Sequence, residues 1–107
     1  MATYANSSYV AKNIGTSASS VITLLSGTQA VSSLIVSNTI TSPITTSVYI
    51  TRSAVDYYLV KDATIAVGGS LEVIQGNRVV LVAGDTLKVV NSAASSGDCI
   101  ASVLTAT

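Results

Sequence analysis

Tyr57-Tyr58-Leu59-Val60-Lys61-Asp62, Leu71-Glu72-Val73-Ile74, Val79-Val80-Leu81-Val82, Thr86-Leu87-Lys88-Val89-Val90 and Cys99-Ile100-Ala101-Ser102-Val103-Leu104 follow one another through the second half of the chain. Each run is dominated by β-branched and aliphatic side chains, and each is cut off by Gly, Asn, Asp or Ser. That is the pattern of short strands joined by tight turns. Gly68-Gly69, Gly76-Asn77, Gly84-Asp85 and Gly97-Asp98 punctuate the runs, and each offers a backbone position able to take positive φ.

The first half continues the pattern. In Ile44-Thr45-Thr46-Ser47-Val48-Tyr49-Ile50-Thr51 the even positions are mostly apolar and the odd ones mostly polar, so one face is expected to be core and the other wetter. Val21 to Leu25 and Gln29 to Asn38 read as two earlier strands, Pro43 marks a turn, and Arg52 to Asp56 reads as a loop. The first twenty residues are small and polar, with only Tyr9-Val10-Ala11 and Ile14 to bury. They read as a flexible or assembly-ordered arm over residues 1–20, ahead of a folded domain over residues 21–107. About eight short strands in one domain favour two packed sheets, an antiparallel, jelly-roll-like β-sandwich in the all-β class. Its expected core is Val48, Ile50, Leu59, Leu71, Val73, Leu81, Leu87, Val89 and Val103.

Composition agrees with one domain of this kind. The chain has 107 residues, of which 9% are charged, five of each sign, against about a quarter in ordinary soluble domains. Thirty Ser and Thr residues therefore carry solubility. Five scattered cations make no basic stripe for a phosphate backbone, so nucleic acid is not an expected partner. No apolar run approaches the roughly 20 residues of a membrane helix, and no membrane partner is expected. The N-terminus lacks the basic and apolar regions of a secretory signal, which points to a product that appears in the cytoplasm where it is made. Cys99, the single cysteine, is flanked by Ile100 with no cation beside it, and reads as a small buried hydrophobe.

Chemistry is hard to find. With no histidine, the commonest general base and metal ligand is missing. No Ser-x-x-Lys occurs, none of the many hydroxyls stands out as a nucleophile, and Asp56, Asp62, Asp85 and Asp98 fall at expected turns where Asp caps the backbone. No glycine-rich nucleotide motif precedes a helix. Neither catalytic residues nor a cofactor nor a metal is expected, and the chain reads as no enzyme. Tyr57 and Tyr58, adjacent in a strand, must face opposite ways. With Tyr49 they are the candidate interface or ligand contacts.

Asp56 to Asp62, Gly68-Gly69-Ser70-Leu71-Glu72-Val73-Ile74, Val80-Leu81-Val82-Ala83-Gly84-Asp85-Thr86-Leu87-Lys88-Val89 and Ala101-Ser102-Val103-Leu104 resemble a family of small virion structural proteins of tailed phages, notably those of aquatic bacteria, including cyanobacteria. The resemblance spans about Thr16 to Thr105; Leu24-Leu25-Ser26-Gly27 stands where members carry a Val-Pro-Ala-Gly corner. It implies a β-sandwich with no catalytic residues that attaches to the capsid or to the neck or tail as a decoration, cement or appendage protein. It also implies homo-oligomers, a trimer first, with other virion proteins as partners and the virion as location. The alternative reading is a carbohydrate-binding or adhesive module with Tyr49, Tyr57 or Tyr58 as its sugar platform.

Overall fold

The structure, a computed structural model, describes residues 4–75 and 78–106; the Gly76-Asn77 turn lies outside the described residues. The eight expected strands are present among them, as is one more. In chain order they are β1 (Tyr4–Ile14), β2 (Ser19–Thr23), β3 (Thr28–Asn38), β4 (Ile44–Arg52), β5 (Val55–Ile65), β6 (Ser70–Glu72), β7 (Val79–Val82), β8 (Thr86–Asn91) and β9 (Gly97–Ala106). One sheet, A, runs β1-β9-β3-β6, with β7 also on β3, and the other, B, runs β2-β8-β4-β5. Every pairing is antiparallel. Only the β4–β5 and β6–β7 connections stay within a sheet, so the chain passes back and forth between two layers, as expected of an antiparallel sandwich.

The additional strand is β1, drawn from the segment read as an arm. It pairs with β9 from Tyr4↔Ala106 to Ile14↔Gly97 and forms one edge of sheet A. Its polar composition follows from its place: Ala5 to Ser8 are exposed on both faces, and only Ile14, at the far end, is wholly enclosed.

The core lies between the sheets. Val31, Leu34, Val36, Leu81, Ala101 and Val103 from sheet A meet Ile22, Ile44, Val48, Leu87 and Val89 from sheet B, each large aliphatic contributing about 1.5 to 3 kcal/mol when fully buried. Six expected core residues are buried, namely Val48, Ile50, Leu81, Leu87, Val89 and Val103. Leu59, Leu71 and Val73 are only half-buried, because Leu59 and Leu71 lie on the edge strands β5 and β6 and Val73 lies just past the end of β6. In β4 the even positions do face the core, but Ser47 and Tyr49 on the other face are buried too. Asp62 and Tyr58 of β5 fold over them: the Asp62 N–H donates to Ser47 Oγ at 2.9 Å, and the Tyr58 ring stacks on Tyr49.

The loop expected over Arg52 to Asp56 shrinks to two residues. Ser53 and Ala54 carry φ of 52° and 63° and close the β4–β5 hairpin, the positive-φ pair of a type I′ turn, whose twist matches the strands it joins. Neither residue is suited to that region, where a Cβ is strained. Ser53→Asn with Ala54→Gly is therefore expected to stabilise the fold by about 1 kcal/mol, read as a thermal midpoint roughly 4 to 8 °C higher by circular dichroism.

Gly97 also differs from its expected role. It opens β9 rather than a turn and does not have positive φ; the left-handed residue is Ser95, with φ 47°. Glycine is required at 97 because a Cβ there would stand 2.6 Å from both Asn91 Nδ2 and the Ser37 carbonyl oxygen.

Candidate interaction surface

The three tyrosines do not make one site. Tyr49 and Tyr58 are register partners on the outer face of sheet B, their ring centroids 4.9 Å apart and tilted by 38°, with the Lys61 ammonium 5.2 Å above the Tyr58 ring. Burial, then the negative charge of Asp56 and the neighbouring Tyr58, pushes the Tyr49 hydroxyl above its usual pKa. Tyr57 pairs with Ile50, so it points to the opposite side, where it is 57% exposed. Of the three rings, Tyr57 keeps the most open surface, while Tyr58 already shares its ring with a tyrosine and a cation. Among the described residues no group of three His, Cys, Asp or Glu side chains could hold a metal ion.

Asp85, Glu72 and Cys99 are absorbed by the fold. Asp85 is wholly buried and takes a two-pronged grip from Arg52, with Nε–Oδ1 at 2.7 Å and Nη2–Oδ2 at 2.6 Å, while the Val82 N–H donates to Oδ2 at 2.9 Å. The Arg52 hydrogen bonds outweigh burial and hold the carboxyl below the usual carboxylate range. Gly84 N–H donates to Leu24 O, and Leu24 N–H to Asp85 O, so the Ala83-Gly84-Asp85 corner ties β7, the β2–β3 corner and the end of β4 together. Glu72 closes the gap between β6 and β7: its carboxylate accepts from Ser33 Oγ at 2.8 Å, Leu34 N–H at 3.0 Å and Ile74 N–H at 3.2 Å. Burial works to raise its pKa, but these donors together prevail and lower it. Cys99 is free and buried, and burial pushes its thiol up to about 12. A thiol reagent at pH 8 is accordingly expected to label the native protein at least about a hundredfold more slowly than the urea-unfolded chain; equal rates would show that β9 opens readily.

The two outer faces differ. On sheet B, Asp56, Lys61, Asp62 and Lys88 lie among Thr and Tyr. On sheet A, Val10, Ile100 and Ile35 line up across β1, β9 and β3 at 74%, 53% and 39% exposure. Val80 and Val82 of β7 continue the same face, and Ser8 and Ser102 lie between. Among the described residues its one ion pair is Lys12 with Asp98, 3.5 Å apart at the rim of a shallow groove that Val10, Ala11, Cys99 and Ile100 also line. Sequence reading did not separate this face from the core, since Ile100 sits between Cys99 and Ala101, both buried. The one usable signal was the lack of charge along β9 after Asp98.

No protein-family model matches the chain, and no curated protein matches it. Among solved structures, a subunit described as "Bacillus endospore appendages form a novel family of disulfide-linked pili" superposes with a TM-score of 0.60 at 16% identity, over 98% of this chain and 89% of that one. The likeness is one of fold.

Proposed function

We propose that this chain is a non-enzymatic structural subunit that assembles with copies of itself into an appendage. The observation that carries the reading is a sandwich whose Asp85 and Glu72 carboxylates are spent on holding its own corners and edge, while a broad aliphatic face and two eleven-residue edge strands, β1 and β5, stay uncovered. Long open edges and exposed aliphatic faces are costly in a free monomer and are satisfied by association. The fold neighbour, a disulfide-linked pilus subunit by its description, supports self-assembly as a use of this architecture.

Covalent linkage is not carried over. Cys99 is the one cysteine and lies inside the sandwich, so copies of the folded chain would hold together without it. Residues 1–20 are proposed to gain order from assembly, since β1 is hydrogen-bonded along one side only and its first half packs on nothing. The finer placement we favour is a tailed-phage virion, on the resemblance of residues 16–105, with a trimer as the unit and capsid, neck or tail proteins beneath it.

The test is the size of the purified chain at tens of micromolar by light scattering, with imaging of whatever forms. Closed oligomers or filaments are expected, unaffected by reductant. A stable monomer would overturn the reading, and glycan binding by that monomer would favour the adhesive module.

A further inference from the structure

We infer that the β1–β9 half of the outer face of sheet A is the surface through which one copy packs on a second copy of this chain, with the outer face of sheet B left to solvent. This rests on the proposed self-assembly and names its contact. The contact is small: β1 and β9 are the strands that overlap, and two strands about 4.8 Å apart and ten or eleven residues long at about 3.3 Å each give a plane of roughly 350 Å², less than the roughly 800 Å² per partner of a standard interface, so each single contact is weak.

The charges favour a second copy over another kind of partner. Lys12 and Asp98 sit side by side on neighbouring strands, Lys12 is 78% exposed at its side chain, and their 3.5 Å contact is loose. A two-fold axis running between β1 and β9, parallel to the strands, sets Lys12 over Asp98 of the second copy and Val10 over its Ile100. Each charge then meets its opposite across the interface while aliphatic meets aliphatic, the self-complementary arrangement a two-fold contact requires. A partner of one charge sign would meet both signs here and gain nothing from one of them.

Two matched pairs of variants test this. Ile100→Lys places a charge at the centre of the sheet A face and is expected to raise the concentration needed for assembly about tenfold or more. Thr64→Lys, on the outer side of β5, is expected to leave it unchanged, and both should keep the β circular-dichroism spectrum. Mixing Ser8→Cys with Ser102→Cys protein and adding a bifunctional maleimide that spans about 10 Å, the spacing of packed sheets, should give a cross-linked heterodimer, because Ser8 of one copy lies over Ser102 of the other; Thr64→Cys should stay uncross-linked. Assembly that survives Ile100→Lys, or cross-links that form through Thr64→Cys and not through the Ser8/Ser102 mixture, would overturn the assignment while self-assembly stood. A wild-type monomer would remove both, and the face would then belong to a different protein.

Discussion

Gly97→Ala is expected to destabilise the fold by about 3 kcal/mol or more, although it adds a single methyl group to a position whose φ an alanine can adopt. The new Cβ would stand 2.6 Å from two atoms, and one of them, the Ser37 carbonyl oxygen, belongs to the backbone of the central strand β3. A flexible side chain could swing aside; a strand fixed in its ladder cannot. The position is also where three elements meet, for Ser96 N–H donates to Ile14 O, Thr39 N–H donates to Ser96 O, and Asn91 Nδ2 donates to Ser96 Oγ. Pushing β9 away from β3 there strains all of these contacts at once. Urea unfolding followed by circular dichroism measures the loss, and the double variant Gly97→Ala with Asn91→Ala, which removes one of the two clashes, should recover only part of it. A loss under about 1 kcal/mol for the single variant would mean that the strands yield more easily than close packing allows.

Asp85→Ala is expected to cost about 2 to 3 kcal/mol, since it strips a wholly buried carboxylate from a corner where it receives three hydrogen bonds. The lower end reflects Arg52, which is half-exposed and is rehydrated when its partner goes. The same pair sets an acid limit. A carboxyl whose pKa is lower folded than unfolded adds stability that is fully present above its unfolded value, about 3.9, and is lost as pH falls through the folded value. Glu72 is shifted the same way. Unfolding midpoints should therefore hold from neutral pH to about 5 and fall steeply below about 4, with the Asp85→Ala variant showing the shallower fall. A wild-type midpoint flat down to pH 2 would contradict the assignment.

Much of the fold was legible because glycine and aspartate corners cut the chain into strand-length pieces, and the alternation in Ile44 to Thr51 fixed an inner face. What escaped has physical causes. The β4–β5 hairpin closes through Ser53-Ala54, which lack the Asn-Gly chemistry that announces such a turn. β1 did not read as a strand because its first half buries neither face. Leu59 and Leu71 looked like core but sit on edge strands, and Val73 sits just past the end of one. Sheet membership was hidden, because successive runs that look like hairpins alternate between layers. The candidate surface was the least visible part: Val and Ile occur on both sides of β9 and β3, so hydrophobicity alone could not distinguish the inner face from the outer. Tyr57 and Tyr58 did face apart as adjacent strand residues must, whereas the pairing of Tyr58 with Tyr49 depended on a long-range register.

The Glu72 plug gives sheet A a direction. On its β3 side the rim is split into a three-residue and a four-residue strand, and the carboxylate occupies the Leu34 N–H in the break between them, too short and interrupted a row to template another chain. On its β1 side the rim runs unbroken for eleven residues. A sheet receptive at one rim and sealed at the other can meet its like there once and then stops; it cannot lengthen indefinitely by adding strands. A fibre that joins copies β1 rim to β1 rim must therefore use a second kind of junction, such as one through the open β5 edge of sheet B, to grow further.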